Sequence, residues 1–200
     1  MAVSEQQAAL THTEFADLLE SCCPGFDKRE RVAVAVSGGP DSLALAALLH
    51  DRAKADYGRP ERHIITVDHG LRPESAREAQ LVERLVSNWP CSRHVTLHWT
   101  GAKPETGLQA AARNARYDLI ADYCREHGIE HVFTAHHADD QAETVLFRLA
   151  RGSGLDGLAG MPQQQPLQNG AVVLRPLLPV AKSRLIATCQ AYGLDYVSDP

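Results

Sequence analysis

The chain has 200 residues, 44% of them hydrophobic and 22% charged, with a formal net charge of −5. That length suits one domain with a buried core and is short for two, the charged fraction speaks against wholesale disorder, and no apolar run approaches the roughly 20 residues needed to cross a bilayer. The start, Met1-Ala2-Val3-Ser4-Glu5-Gln6, lacks the basic and apolar stretches of a signal peptide, and Cys22, Cys23, Cys91, Cys124 and Cys189 form no C-x-x-C, so a zinc ribbon, redox pair or disulfide framework has little support and a reducing cytoplasm is the simplest compartment.

The first thirty residues read as a leader packed on the domain, with a helix over residues 13–21. Val32-Ala33-Val34-Ala35-Val36 is an apolar run ending in Gly38-Gly39-Pro40, the pattern of a strand buried on both faces. A helix follows from residue 41 to about 54, with Leu43, Ala46, Ala47, Leu48 and Leu49 on its apolar side. His63-Ile64-Ile65-Thr66-Val67 predicts a second strand and residues 74–87 a helix. His94-Val95-Thr96-Leu97-His98-Trp99 alternates as a third strand, and residues 108–127 form a long helix closed by Gly128. His131-Val132-Phe133-Thr134-Ala135 is a fourth strand leading into a helix over 138–151. A Gly-, Gln- and Pro-rich loop then spans 152–170, before a fifth strand at Ala171-Val172-Val173-Leu174 and a last helix over 183–192.

Strands alternating with helices imply an α/β fold: a doubly wound, mostly parallel sheet of about five strands with helices on both faces. Such sheets bind ligands beyond the carboxyl ends of their strands, here after Val36, Val67, Trp99 and Ala135. Charge is uneven along the chain. Residues 1–146 hold 15 basic against 22 acidic side chains, whereas 147–184 hold Arg148, Arg151, Arg175, Lys182 and Arg184 against Asp156 alone. Such a segment suits a phosphate backbone, and a solvated surface explains it equally well.

Ser37-Gly38-Gly39-Pro40-Asp41-Ser42 lies between the first strand and its helix. Two glycines allow tight turning and close backbone approach to an anion, Pro40 suits a first helical turn, and the helix N-terminus adds positive potential. Ser37 and Ser42 offer hydroxyls, and Asp41 suits the Mg²⁺ that phosphates bring. A bare Ser-Gly-Gly is often only a turn with a helix cap; the full hexapeptide in this context reads as a phosphate site. It is neither a Walker A, lacking Gly-Lys-Ser/Thr, nor G-x-G-x-x-G. It resembles the S-G-G-x-D-S loop of the PP-loop ATP pyrophosphatases, which cleave ATP between the α and β phosphates through an adenylated intermediate. That resemblance implies ATP and Mg²⁺.

Four further stretches narrow the choice: Val67-Asp68-His69-Gly70-Leu71-Arg72-Pro73-Glu74-Ser75, Ala112-Arg113-Asn114-Ala115-Arg116-Tyr117, His136-His137-Ala138-Asp139-Asp140-Gln141-Ala142-Glu143-Thr144, and Arg151-Gly152-Ser153-Gly154-Leu155-Asp156-Gly157-Leu158-Ala159-Gly160-Met161. With the phosphate loop, and in this order, they resemble the signature of the tRNA(Ile)-lysidine synthetases over roughly residues 31–200. The resemblance implies ATP-dependent joining of free L-lysine to C2 of the wobble cytidine of tRNA(Ile) with a CAU anticodon. The cytidine is first adenylated, AMP and pyrophosphate leave, and decoding changes from AUG to AUA.

The residues suit that chemistry. Lysine must be held as a cation and then lose a proton, which calls for carboxylates. At helix spacing Asp139 and Glu143 share a face and Asp140 is near. Asp140 and Glu143 are assigned to lysine or Mg²⁺, with either able to act as base, although a helix N-terminus attracts acid on its own account. Asp41, Asp140, Glu143 and His136 form the expected catalytic set, with Asp41 and Asp140 as metal ligands. Ser37 to Ser42, Asp68, His69, Arg113 and Arg116 are the expected nucleotide or target-base contacts. A histidine–carboxylate metal hydrolase is the other reading of His136 and His137, but H-E-x-x-H and a third ligand group are absent. Arg151 and its glycines are expected to shape a loop that receives the anticodon.

Members of that family continue into C-terminal domains that grip tRNA, so with the chain ending at Pro200 the RNA grip is expected elsewhere. A homodimer is compatible with the residues, and a membrane partner is not expected. Rival readings are a tRNA thiolase of the same superfamily, disfavoured by the missing paired cysteines, an amidotransferase-type synthetase, which needs an ammonia source, and a non-catalytic nucleotide-binding module, which has no need of the acidic cluster.

Overall fold

A computed structural model describes residues 8–26, 31–55, 60–71, 75–152, 159–168 and 170–197. Among these, helix α1 (His12–Cys22) precedes strand β1 (Arg31–Ala35) and helix α2 (Pro40–Ala55). Then come β2 (Glu61–Asp68), α3 (Ser75–Val86), β3 (Ser92–His98), α4 (Leu108–His127), β4 (His131–Phe133) and α5 (Ala138–Ala150). The chain continues through β5 (Gln164–Pro166), β6 (Val172–Leu174) and α6 (Lys182–Ala191). The six strands form one sheet in the order β3-β2-β1-β4-β6-β5. All neighbours are parallel except β5, which runs antiparallel to β6 at the edge.

Two apolar layers explain this wrapping. Val32 and Val34 of β1 face a core filled by α1, α2, α3 and α6, whereas Ala33 faces Ile120, Tyr123 and Cys124 of α4 on the other side. That is the two-sided burial expected of an apolar parallel strand. Helix α2 is hidden over its whole middle, Leu43 to Leu49, and so reads as apolar all round rather than as a stripe. Phe26 and Phe133 meet edge to face at 5.7 Å in this layer.

The expected strands and helices are found in their expected order, with one addition. Residues 164–166, read as loop, form β5, making six strands. Their Gln-Gln-Pro sequence carries no apolar alternation, and proline is tolerated there because the strand lies at the sheet edge. The expected helix start at residue 74, the middle of the Gly-rich loop (153–158) and the final residues 198–200 lie outside the described residues.

Helix α1 is packed through Phe15, Leu19 and Cys22 and pinned at its start. Thr11 and Glu14 form a capping box, with the Thr11 hydroxyl accepting from Glu14 N at 3.2 Å and Glu14 Oε2 accepting from Thr11 N at 2.9 Å. Arg184 of α6 then donates to both Glu14 oxygens, at 2.8 and 3.0 Å. The Thr11 backbone and hydroxyl donors, followed by Arg184, hold the Glu14 carboxyl down at about 2. A depressed folded-state value stabilises the fold above the ordinary 4.5 and loses that contribution as pH falls toward about 2. Glu14→Gln is therefore expected to lower stability by no more than about 1 kcal/mol at neutral pH, because the pair is half in water. Denaturant titrations of parent and variant should converge as pH falls between those two values; a gap that stays constant would remove the charge from the explanation.

Candidate functional site at the carboxyl end of the sheet

The phosphate loop is shaped by bonds to its carbonyl groups. Pairing of β1 runs on through Val36 N, which donates to Ile65 O at 2.8 Å. The chain then turns through Gly38, whose φ of +90° lies in the left-handed region that favours glycine. Gly38 O accepts from Val197 N at 3.0 Å, Gly39 O from Leu43 N at 3.1 Å and the Ser42 hydroxyl at 3.0 Å, and Pro40 O from Cys189 Sγ at 3.0 Å. In a planar trans peptide the N–H points opposite to the C=O. With these carbonyls turned inward, Gly39 N–H and Asp41 N–H are turned outward at the start of α2, as an anion-binding nest requires. Ser42 is buried and acts as a staple, since its oxygen also accepts from Ser37 N at 3.1 Å. Ser37 stays exposed at the mouth of the loop.

The loop does not stand alone. Along the sheet the chain runs outward from β1 through β2 to β3 and then returns to β4 on β1's other side, so the topological switch point lies between β1 and β4. The helices after those strands, α2 and α5, bring their N-termini together there. His137, the residue before α5, is buried and joins them: its Nε2 lies 3.5 Å from Asp41 Oδ2 and 3.5 Å from Asp140 Oδ2. Asp140 Oδ2 also accepts from His137 N at 2.9 Å, closing the first turn of α5. Burial by itself pushes the His137 ring down; the hydrogen bond to Asp41 and the charges of Asp140, Asp41 and Asp139 outweigh it and hold the ring above its ordinary value. Asp41 Oδ1 is buried with no hydrogen-bond partner among the described residues, an orphaned acceptor of the kind a cation satisfies.

His136 faces a different neighbour. Its Nδ1 lies 2.9 Å from the Thr134 hydroxyl and accepts from Arg175 Nε at 3.3 Å. Burial first, then the Arg175 charge, pushes the ring down to about 4, and the charges of Asp140, Arg113 and Arg116 also act on it. Arg175 is fully buried, so one of the five cations of the basic segment serves the interior of the fold, and Arg184 is tied to Glu14 in a partly exposed pair.

The remaining expected residues divide. Asp68 is engaged in shaping its own loop: Oδ1 accepts from Gly70 N at 2.8 Å and the Ser75 hydroxyl at 2.6 Å, and Oδ2 lies 3.4 Å from His98 Nδ1. Those hydroxyl and amide donors and His98 outweigh burial and hold the carboxyl below the usual range. His69 Nε2 meets Arg116 at 3.3 Å, its ring stands edge-on to Trp99, and its Nδ1 is buried without a partner among the described residues. Lys103 caps that Trp99 at 3.7 Å. Arg113 lies over Tyr117 of its own helix at 5.3 Å. Glu143 is exposed on α5, one turn beyond Asp139.

Comparison with known proteins follows the same lines. Residues 8–200 match the PP-loop domain family. The chain belongs to that family. This PP-loop domain is 52% identical over 169 residues to the tRNA(Ile)-lysidine synthase of Rhodopseudomonas palustris, covering 84% of the chain and 48% of that protein. It is 46% identical over 198 residues to the tRNA(Ile)-lysidine synthase of Methylobacterium nodulans, covering 99% of the chain and 56% of that protein. The chain thus spans about half the length of the curated relatives it matches. In fold it is similar to the U34-tRNA thiolase NcsA from Methanococcus maripaludis, with a TM-score of 0.77, 16% identity, and coverage of 94% of this chain and 66% of that one.

Two residues of this PP-loop domain escaped sequence reasoning. His136 was placed in the expected catalytic set and His137 was not, and Arg175 was counted only as one cation in a basic run. The signal for Arg175 was its position, directly after the apolar Val172-Val173-Leu174, where a strand end sits inside the fold.

Proposed function

We propose that this domain carries the ATP-consuming chemistry of lysidine formation: adenylation of the wobble cytidine O2 of tRNA(Ile) with a CAU anticodon, then displacement of AMP by the ε-amine of L-lysine. The observation that carries it is the meeting of Asp41, at the phosphate loop, with Asp140, at the head of α5, through His137. A site for α–β cleavage of ATP needs an amide nest beside carboxylates, and that is this arrangement. The relatives from Rhodopseudomonas palustris and Methylobacterium nodulans, both tRNA(Ile)-lysidine synthases, support the same reaction.

In this reading Gly39 and Asp41 N–H groups hold phosphate oxygens, and Ser42 keeps the loop in shape. Asp41 and Asp140 fit Mg²⁺: two carboxylates with one orphaned oxygen supply the partial shell that this ion completes with phosphates and water. The ion, when bound, neutralises charge developing on the pyrophosphate. Asp140 and Glu143 hold the lysine ammonium and take its proton, while Arg113 and Arg116 contribute positive charge near the cytidine. No helix among the described residues is long and apolar enough to cross a membrane, and tRNA modification would take place in the cytoplasm.

The test is incubation with α-labelled ATP, Mg²⁺, labelled lysine and a tRNA(Ile) transcript with a CAU anticodon. It uses this chain and a chimera carrying the remainder of the Rhodopseudomonas palustris relative. AMP release with lysine transfer, lost when the wobble base is changed, is the expected result. AMP without lysine transfer would move the chain to another acceptor, and silence from both proteins with ATP still bound would leave a nucleotide-binding module.

A further inference from the structure

Arg175 is a charged group enclosed in the protein, with no ion-pair partner among the described residues. Taking a guanidinium out of water without a counter-ion is costly, and replacement of such groups by apolar side chains is often neutral for stability. What it holds therefore matters. Its Nη1 donates to Pro162 O at 2.9 Å, its Nη2 to Gln165 Oε1 at 2.6 Å, and its Nε to His136 Nδ1 at 3.3 Å. Its own N–H donates to Gln163 O at 2.9 Å. One side chain thus ties the end of β6 to the β5 edge and to the histidine that follows β4.

The chemistry of the donor settles the state of the ring. Arginine does not give up its proton, so its Nε is always a donor. The His136 Nδ1 that faces it must then be an acceptor, and the ring's hydrogen sits on Nε2, on the side away from Arg175. His136 follows β4 and is next in the chain to His137, whose Nε2 stands 3.5 Å from both Asp41 and Asp140, so the ring lies beside the candidate site. Pro162 also adjoins Met161, whose N–H donates to Gln141 Oε1 at 2.5 Å, so the same strut reaches α5.

We propose that Arg175 is a positioning residue for the reaction: its guanidinium locks His136 in the Nε2–H tautomer and presents that N–H as a fixed donor to a substrate oxygen. The inference rests on the lysidine reading for the identity of the reaction, but its structural half does not. His136 then orients and stabilises rather than shuttling a proton.

The experiment combines ¹⁵N-histidine two-bond NMR with a kinetic cycle. In the parent, the His136 signals, assigned by their loss in His136→Gln, should show the Nε2–H tautomer throughout the neutral pH range. Arg175→Gln should give mixed tautomers and lower kcat by about 10- to 100-fold, with KM for ATP little changed. In a His136→Gln background the same substitution should add almost nothing, because the two act as one unit. Arg175→Lys, which keeps a buried cation, carries both readouts if Arg175→Gln fails to fold, and should recover part of the rate. An Nδ1–H tautomer in the parent, or an equal loss of kcat with and without His136, would overturn the proposal. The spectrum does not depend on turnover, so a parent that transfers no lysine, alone or as the chimera, sinks the lysidine reading while the tautomer still decides the role of Arg175.

Discussion

Replacing Asp41 by asparagine is expected to lower ATP consumption about a thousandfold, the rate equivalent of the several kcal/mol a bound metal ion contributes to stabilising charge in the transition state. Asp41 Oδ1 is buried and without a hydrogen-bond partner among the described residues, while Oδ2 faces His137 at 3.5 Å. Asparagine keeps the shape but removes the charge, and one of its two terminal atoms becomes a donor. Mg²⁺ would lose a charged ligand, and His137 would lose the Asp41 charge that helps to raise it. The fold should survive, since asparagine at the first turn of α2 loses only about 0.3–1 kcal/mol of helix-dipole interaction. The measurement is pyrophosphate release over a range of Mg²⁺ concentrations, where the variant should need more Mg²⁺ and reach a lower plateau. Parental rates at every Mg²⁺ concentration would remove Asp41 from the chemistry.

Gly38→Ala should act through the backbone rather than through a clash. A Cβ built at Gly38 meets Val82 Cγ2 at 3.7 Å, an ordinary contact, but the φ of +90° is one that L side chains rarely adopt. Holding alanine there costs about 1–3 kcal/mol, which for a chain of this size lowers Tm by about 2–10 °C. The loop can relieve the strain by rotating the peptide between residues 38 and 39. That rotation breaks the Val197 bond to Gly38 O and swings Gly39 N–H out of the nest. ATP affinity should therefore fall by about 10- to 100-fold, more than the stability loss accounts for. Gly39→Ala is the internal control: Gly39 has no positive φ, and its added Cβ meets only the Ser37 hydroxyl, at 3.6 Å. Calorimetric titration with a non-hydrolysable ATP analogue separates the two, and equal losses would discard the nest geometry.

How far the fold could be read depended on where each segment draws its stability. Helix α4 was legible at both ends because its limits are local: Leu108 starts the pattern, and Gly128 takes the left-handed cap at φ +64°. β1 was legible because burial on both faces leaves an unbroken apolar run. The capping box of Thr11 and Glu14 is a local signal too, and it starts α1 at His12 rather than one residue later. β5 was not legible, since Gln164-Gln165-Pro166 becomes a strand only because β6 presents an open edge and Arg175 holds Gln165. In the site, the six residues of the phosphate loop could be placed from the hexapeptide alone. The choice between His136 and His137 could not, because it depends on which ring the end of β4 turns toward α2. Asp68 was expected as a nucleotide or target-base contact from its place after β2; its bond from Gly70 N is a local Asx turn, whereas its bond from Ser75, seven residues on, depends on how the loop folds.

Helix α5 has no buried side chain along its described length, and Leu146, Phe147 and Leu149 are all exposed. It is held instead by Ala138 N on Val180 O at its head, and by Gln141, whose amide grips the Met161 backbone with Nε2 on O at 2.9 Å and Oε1 on N. Arg148 also donates to Ala159 O. Segment 159–161 is thus fastened by side-chain hydrogen bonds to the same helix that carries Asp140 and Glu143, so the chain that follows α5 is joined to the carboxylates of that helix by polar contacts rather than by a packed core.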